Sequence, residues 1–333
     1  MKRFLSAILS VCLAFSCIAT ALAASFPDID GHFGKDAIEY MVSKGVVNGY
    51  QEDGTFRPNR TVTRAEFIKM LNVTFGLTAT KNHSYSDVSD GQWFDPYVRQ
   101  ATAQGYLLNY GTMLNPSGPL SRQEAAALLV RYLDPDTAKK APTSTFPDYN
   151  TIKAAYREYV LLAAGTGLIN GYPDGTFDPD RTLTRAEALT ILYRAAGTIC
   201  NDNLVESEAG AGKDNAVITQ SGVTVTGANL PGRVLISEGV SGGTVTLSEC
   251  QIGELIIRGT PSLIMNGCTV DSILVDSAAG HTASVSILNG TVVKSMTLST
   301  PADISMMART TLGSLVVEKT ATRSSVTGSG TFT

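Results

Sequence analysis

Three blocks in the first half of the chain begin alike: Phe26-Pro27-Asp28-Ile29, Tyr85-Ser86-Asp87-Val88 and Phe146-Pro147-Asp148-Tyr149, with starts 59 and 61 residues apart. A sequence that repeats at such a period reuses one supersecondary unit. Each copy must bury its apolar face against its neighbours. In the first block Ala37, Ile38, Met41 and Val42 recur at helical spacing. Gly45, Gly105 and Gly167 end the first helix of each block. A turn-rich stretch follows, Asn48-Gly49-Tyr50-Gln51-Glu52-Asp53-Gly54-Thr55-Phe56 in block one and Asn170-Gly171-Tyr172-Pro173-Asp174-Gly175-Thr176-Phe177 in block three. Asp-Gly supplies the positive φ of a tight turn. Block two lacks it.

Each block closes on a second helix that opens Thr63-Arg64-Ala65-Glu66, Ser121-Arg122-Gln123-Glu124 or Thr184-Arg185-Ala186-Glu187. A hydroxyl residue followed three places on by Glu is a capping box, so Thr63 with Glu66, Ser121 with Glu124 and Thr184 with Glu187 are helix caps. The arginine needs another reason. A cation in the first helical turn opposes the helix dipole, yet Arg64, Arg122 and Arg185 all stand there. Free N–H groups beside a guanidinium form a site for a carboxylate or phosphate. A salt bridge to the Asp of a neighbouring block is the alternative.

These blocks resemble S-layer homology (SLH) repeats over roughly residues 25–197, with repeats at 25–78, 84–134 and 145–197. The Phe-x-Asp opening, the Gly-Tyr-x-Asp-Gly-Thr-Phe turn and the Thr-Arg-Ala-Glu helix start carry the likeness. The resemblance implies a pseudo-threefold helical domain. Its grooves would bind an anionic secondary cell-wall polymer, often with a pyruvylated terminal sugar. Arg64, Arg122 and Arg185 would contact the acidic group. Asp28, Asp87 and Asp148 would take a sugar-hydroxyl or structural role. The family's aromatic at the start of the first helix falls on Phe33 and Trp93, while block three has Ala155 with Tyr156 beside it. Trp93 is thus a sugar platform or a core wedge. Block two has Gln123 for the usual Ala, so one groove is expected to be weak.

Residues 1–23 have a basic start at Lys2 and Arg3, an apolar stretch and Ala21-Leu22-Ala23, the pattern of a cleaved secretory signal. Export to the cell surface and wall is expected, with no stable membrane span after cleavage. The chain has 26 Lys+Arg against 30 Asp+Glu, a net charge of -4, and no basic run. That argues against nucleic acid as a partner. Its 333 residues suit more than one domain. Three His and five Cys leave little for a metal site, and no cofactor motif is present.

Residues 198–214 read as a linker, and Lys139–Ser144 as a smaller one. In the module at 215–333 the only aromatic is Phe332, and Val, Ile, Leu, Thr, Ser and Gly dominate. Small residues Ala228, Cys250, Cys268, Thr291 and Thr310 each precede a similar apolar pattern, at steps of 22, 18, 23 and 19. This predicts a short parallel β-helix of about five coils, with an antiparallel β-sandwich as the alternative. Cys250 and Cys268 occupy equivalent places in successive coils. They are either a disulfide or two buried thiols. Asp271 with Lys294, and Arg258 with Asp276, are candidate cross-coil pairs. No nucleophile constellation appears, and His32, His83 and His281 are far apart. The expected function is therefore a non-catalytic surface protein anchored through its repeats. The alternative is an SLH-anchored polysaccharide lyase or hydrolase with its site on the β module.

Overall fold

A computed structural model describes residues 26–107, 110–133, 146–205, 214–277 and 281–333. The signal-like segment and the Lys139–Ser144 linker lie outside these residues. Among the described residues, six α-helices occupy the repeats: α1 (Lys35–Ser43), α2 (Arg64–Thr74), α3 (Asp95–Ala103), α4 (Arg122–Leu133), α5 (Arg157–Gly165) and α6 (Arg185–Ala196). They pair across repeat boundaries, α2 with α3, α4 with α5 and α6 with α1. The three blocks therefore close on themselves rather than form an open stack.

The closure has a small hydrogen-bonded hub. Val62 N–H donates to the Leu183 carbonyl at 2.9 Å, Leu183 N–H to Leu120 at 2.9 Å, and Leu120 N–H to Val62 at 3.2 Å. All three side chains are fully buried. The extended residues before α2, α4 and α6 thus satisfy one another around the pseudo-threefold axis, and the second helices fan outward from it.

From Thr198 the chain winds into a parallel β-solenoid. Strands β1 (Thr198–Cys200), β3 (Ala216–Ile218), β5 (Asn229–Ile236), β7 (Gln251–Ile257), β9 (Thr269–Val275), β11 (Val292–Leu298), β13 (Thr311–Val317) and β15 (Thr331–Phe332) stack in one sheet. A second sheet holds β2 (Leu204–Val205), β4 (Thr224–Thr226), β6 (Ser241–Ser248), β8 (Thr260–Asn266), β10 (Ala283–Leu288), β12 (Ala302–Met306) and β14 (Ser325–Gly328). Every pairing between these strands is parallel, which excludes the antiparallel sandwich. The array also starts earlier than the sequence suggests. Thr198–Cys200 and Leu204–Val205, expected in a linker, pair with the next coil as its first strands.

Cys250 and Cys268 are free thiols, each 1% exposed. Cys250 Sγ lies 3.4 Å from the Val225 carbonyl oxygen, and Cys268 Sγ 3.2 Å from that of Leu247. Thr291, next in the column, donates its hydroxyl to Met265 O at 3.2 Å. The thiols therefore do what a threonine does here, donating to a carbonyl of the preceding coil. A bond between the two sulfurs would give up both contacts. Of the expected cross-coil pairs, Asp271–Lys294 forms at 2.6 Å. Arg258 instead donates to the Tyr132 carbonyl at 2.7 Å, because its strand faces the helical domain.

That junction is a continuous core. Ile199, Val217, Leu235, Ile256 and Leu274 are stacked in register on successive coils and pack outward against the repeat domain. Ser237 Oγ donates to Gly76 O at 2.9 Å, and Glu238 accepts Ala79 N–H at 2.9 Å. The Tyr40 hydroxyl accepts Ile199 N–H at 2.7 Å, and burial pushes its pKa up to about 12. Strands buried on both faces carry unbroken apolar runs rather than alternation. This explains Val234-Leu235-Ile236, Leu255-Ile256-Ile257 and Ile273-Leu274-Val275. Alternation returns at Met296-Thr297-Leu298, beyond the reach of the helices.

Candidate functional site

The three opening aspartates hold turns. Asp28 accepts Phe56 N–H at 2.8 Å on one oxygen and Arg57 N–H at 2.7 Å on the other. Asp87 does the same for Leu114 and Asn115, at 2.8 and 2.7 Å, and Asp148 for Phe177 and Asp178, at 2.9 and 2.7 Å. Arg57, Asn115 and Asp178 sit at φ of 56°, 51° and 55°. The double bond from a carboxylate offsets the cost of a left-handed non-glycine residue. Of the two roles implied for these aspartates, the geometry supplies the structural one.

The second helices are capped from two sides. Thr63 Oγ1 accepts Glu66 N–H at 3.3 Å while Glu66 accepts Thr63 N–H at 2.8 Å. Thr184 and Glu187 repeat this at 3.2 and 2.9 Å, and Ser121 N–H donates to Glu124 at 3.0 Å. The next two amides meet carbonyls of another block. Arg64 and Ala65 donate to Gly118 and Pro116, Arg122 and Gln123 to Arg181 and Pro179, and Arg185 and Ala186 to Arg60 and Pro58. No first-turn N–H is left for an anion, contrary to the sequence expectation. A recurring Pro six residues before each arginine was the available signal, since Pro58, Pro116 and Pro179 supply those carbonyls.

The arginines close the ring. Arg185 reaches block one, donating Nε to Phe56 O at 3.2 Å and Nη2 to Asn48 O at 3.1 Å. Arg122 reaches block three, to Phe177 O and Asn170 O, both at 2.8 Å. Arg64 reaches block two, to Asn115 O at 2.6 Å and to the Glu124 carboxylate at 2.7 Å. They are 5–7% exposed and lie over Tyr50, Tyr172 and Tyr110 at 5.2, 4.4 and 5.1 Å. Each guanidinium is thus an inter-repeat strut at the floor of a groove.

This cyclic arrangement of three near-identical helical units coincides with a family match. A family model for the S-layer homology domain fits residues 25–68, 84–126 and 145–189. The chain carries three SLH domains. Among relatives, it is 34% identical over 173 residues to an amylopullulanase of Thermoanaerobacterium thermosulfurigenes, covering 51% of this chain and 9% of that protein. It is 32% identical over 178 residues to the exoglucanase XynX of Acetivibrio thermocellus, covering 51% and 16%. It is 30% identical over 199 residues to an S-layer protein of Bacillus thuringiensis subsp. finitimus, covering 58% and 24%. The chain therefore spans less than a quarter of the length of these relatives, and the matches fall on the SLH region. SLH domains bind cell-wall polymers, and the protein is an exported, wall-associated surface protein.

The three SLH grooves differ in charge. In repeats one and three the cap glutamate is paired within its own repeat, Glu66 with Arg60 and Glu187 with Arg181, the latter at 3.2 Å. Repeat two has Gly118 at the matching position, so Glu124 neutralises Arg64 instead. The pKa directions follow. Burial lowers those of Arg122 and Arg185. For Arg64, burial is outweighed by Glu124 and Tyr110, and its pKa is raised. The Arg185 groove is the richest in cations. It is a cleft of about 290 Å³ lined by Asn48, Tyr50, Glu66, Lys69, Trp93 and Arg185 among others. Lys69 makes no ion pair among the described residues. Its counterparts three places after the cap glutamate are Ala127 and Thr190. Trp93 is 54% exposed, so it is not a core wedge. Phe33, 70% exposed, stands by the start of α6, where Gly34 lies against Ala186 and Thr190. Tyr156 lies near Arg64 and Glu124 and is half-buried.

Proposed function

We propose that the protein is held on the wall by an anionic secondary polymer seated in the Arg185 groove, and that it displays its β module without catalysis there. The observation that carries the first part is the coincidence of Arg185, Lys69 and exposed Trp93 in one cleft. Two cations take the acidic group by charge-assisted bonds, each of about 1.5–3 kcal/mol. The indole takes the apolar face of a sugar ring. The Arg122 groove, with Phe33 and no lysine, is the weaker second site. The Arg64 groove is silenced by Glu124.

What supports a non-catalytic module is that its outward carboxylates are engaged or dispersed. Asp271 pairs with Lys294, and Glu254 with Arg233 at 3.0 Å. The test is sedimentation of the protein with purified wall sacculi before and after the secondary polymer is stripped. Binding is expected only before. Equal binding to stripped sacculi would refute the anchoring ligand, and release of sugar ends from wall glycans would refute the non-catalytic reading.

A further inference from the structure

We propose that His83 is a positioning residue for wall binding: through Asp95 it fixes the start of α3, and with it the Trp93 ring at the mouth of the Arg185 groove. The inference rests on the reading of that groove as the polymer site. His83 is in the segment joining the first two repeats, and its side chain is 8% exposed. Its Nδ1 accepts Tyr85 N–H at 3.3 Å, so in the neutral ring the proton is on Nε2, which donates to Asp95 Oδ1 at 3.0 Å. Asp95 is the first residue of α3 and is itself 7% exposed. One helical turn on, Arg99 donates Nε to both carboxylate oxygens at 3.0 Å and also holds Asn82 and Asp90. The imidazole, carboxylate and guanidinium thus clamp the linker to the helix start.

Trp93 lies two residues before Asp95. Its ring meets Phe94 edge-on at 5.3 Å and is otherwise turned to the groove. Its place is therefore set by the backbone that Asp95 pins, where Asp95 N–H donates to Gln92 O at 3.0 Å. The clamp is particular to this repeat. The helices that follow Phe33 and Tyr156 begin with Lys35 and Arg157, which offer no carboxylate at that place. Lys35 and Arg157 tie their helix starts to Asp30 and to the Ile152 carbonyl, whereas the repeat with the tryptophan does so through a buried carboxylate held by an imidazole and a guanidinium. An indole already held in its bound position spares the ordering cost that binding otherwise carries.

The chain has one tryptophan, so emission and acrylamide quenching read Trp93 alone. The experiment compares the full chain with His83→Leu, which removes both ring nitrogens, and His83→Gln, which keeps an N–H near the place of Nε2. Well below the melting temperature and without polymer, His83→Leu should raise Trp93 quenching and lower its anisotropy. Affinity for polymer-bearing wall fragments should fall about three- to tenfold, and His83→Gln should restore both. Unchanged quenching and affinity in folded His83→Leu would overturn the proposal, as would a loss of stability with no change at Trp93. Should His83→Leu not fold, Asp95→Asn replaces it: increased quenching supports the clamp and unchanged quenching refutes it. Failure of the unaltered protein to bind wall fragments would sink the groove reading itself, whereas the polymer-free quenching judges the clamp separately.

Discussion

Arg185 of the third repeat donates its Nη2 to the carbonyl oxygen of Asn48 in the first, across 3.1 Å. The link closes a ring that Arg64 and Arg122 build at the other two boundaries. An arginine expected from its place in the helix to be a ligand contact is therefore a strut as well. Arg122→Ala should lower stability by about 2–3 kcal/mol, because the carbonyls of Phe177 and Asn170 lose a buried partner. Arg122→Lys should recover little, since an ammonium cannot reproduce the fork. Denaturant midpoints of the two variants check this. A midpoint unchanged in Arg122→Ala would show the strut to be idle.

The caps offer a smaller effect. Thr63→Ala and Thr184→Ala each remove the hydroxyl that accepts the amide three residues on. Each should cost about 0.5–2 kcal/mol. Wall binding measured on the folded fraction should hardly change, because the hydroxyls are spent on the backbone. Full stability with lost binding would mean that they touch the polymer.

How much of this was legible beforehand varies with what each residue contacts. The threefold repeat and the caps depend on neighbours in sequence, so their signatures are local. The parallel array showed in the steps between Ala228, Cys250, Cys268, Thr291 and Thr310. The partners of Arg64, Arg122 and Arg185 lie 48 to 137 residues away, and nothing local names them. The pairing of Arg64 with Glu124 follows from what Gly118 lacks, which only the closed ring makes visible. The junction left a partial local trace in the unbroken aliphatic triplets of β5, β7 and β9, but β13 carries Leu315-Val316-Val317 with both valines exposed, so the triplet alone does not mark the seam.

That junction gives a prediction about cooperativity. Leu235 and Ile256 belong to the core of the repeat domain, at 2% and 3% exposure. The two parts of the protein should unfold in one transition. Ile256→Asp buries an unpaired carboxylate at the seam and should cost about 3 kcal/mol or more. Calorimetry should then show two separated transitions. Two transitions in the unaltered protein would contradict a shared core.

Acid should loosen the groove mouth. Burial raises the pKa of Asp95, but the hydrogen bonds from His83 and Arg99 outweigh it and hold the carboxyl below its usual value of 3.8. A depressed carboxylate contributes stability that is present above its unfolded pKa and lost as the pH falls through its folded one. A change in Trp93 emission should therefore accompany the fall of pH below the usual carboxylate value of 3.8, as Asp95 is protonated. The Asp95→Asn variant should lack this step. An identical acid transition in both proteins would assign it elsewhere.

The central claim is that one groove, marked by Lys69 and Trp93, carries the wall contact. Both side chains are partly or largely exposed, and among the described residues neither makes an inter-repeat hydrogen bond or ion pair, Lys69 Nζ lying 5.7 Å from the Tyr97 ring centre, so Lys69→Ala and Trp93→Ala can be read without loss of fold. The most direct measurement is a binding isotherm of each variant on polymer-bearing wall fragments, beside Tyr156→Phe near Arg64 and Glu124 as a control. Lys69→Ala and Trp93→Ala should each weaken binding about ten- to a hundredfold at an unchanged melting temperature, and the control should bind like the unaltered protein. If both groove variants bind as tightly as the unaltered protein, the contact lies in another groove and the account is contradicted.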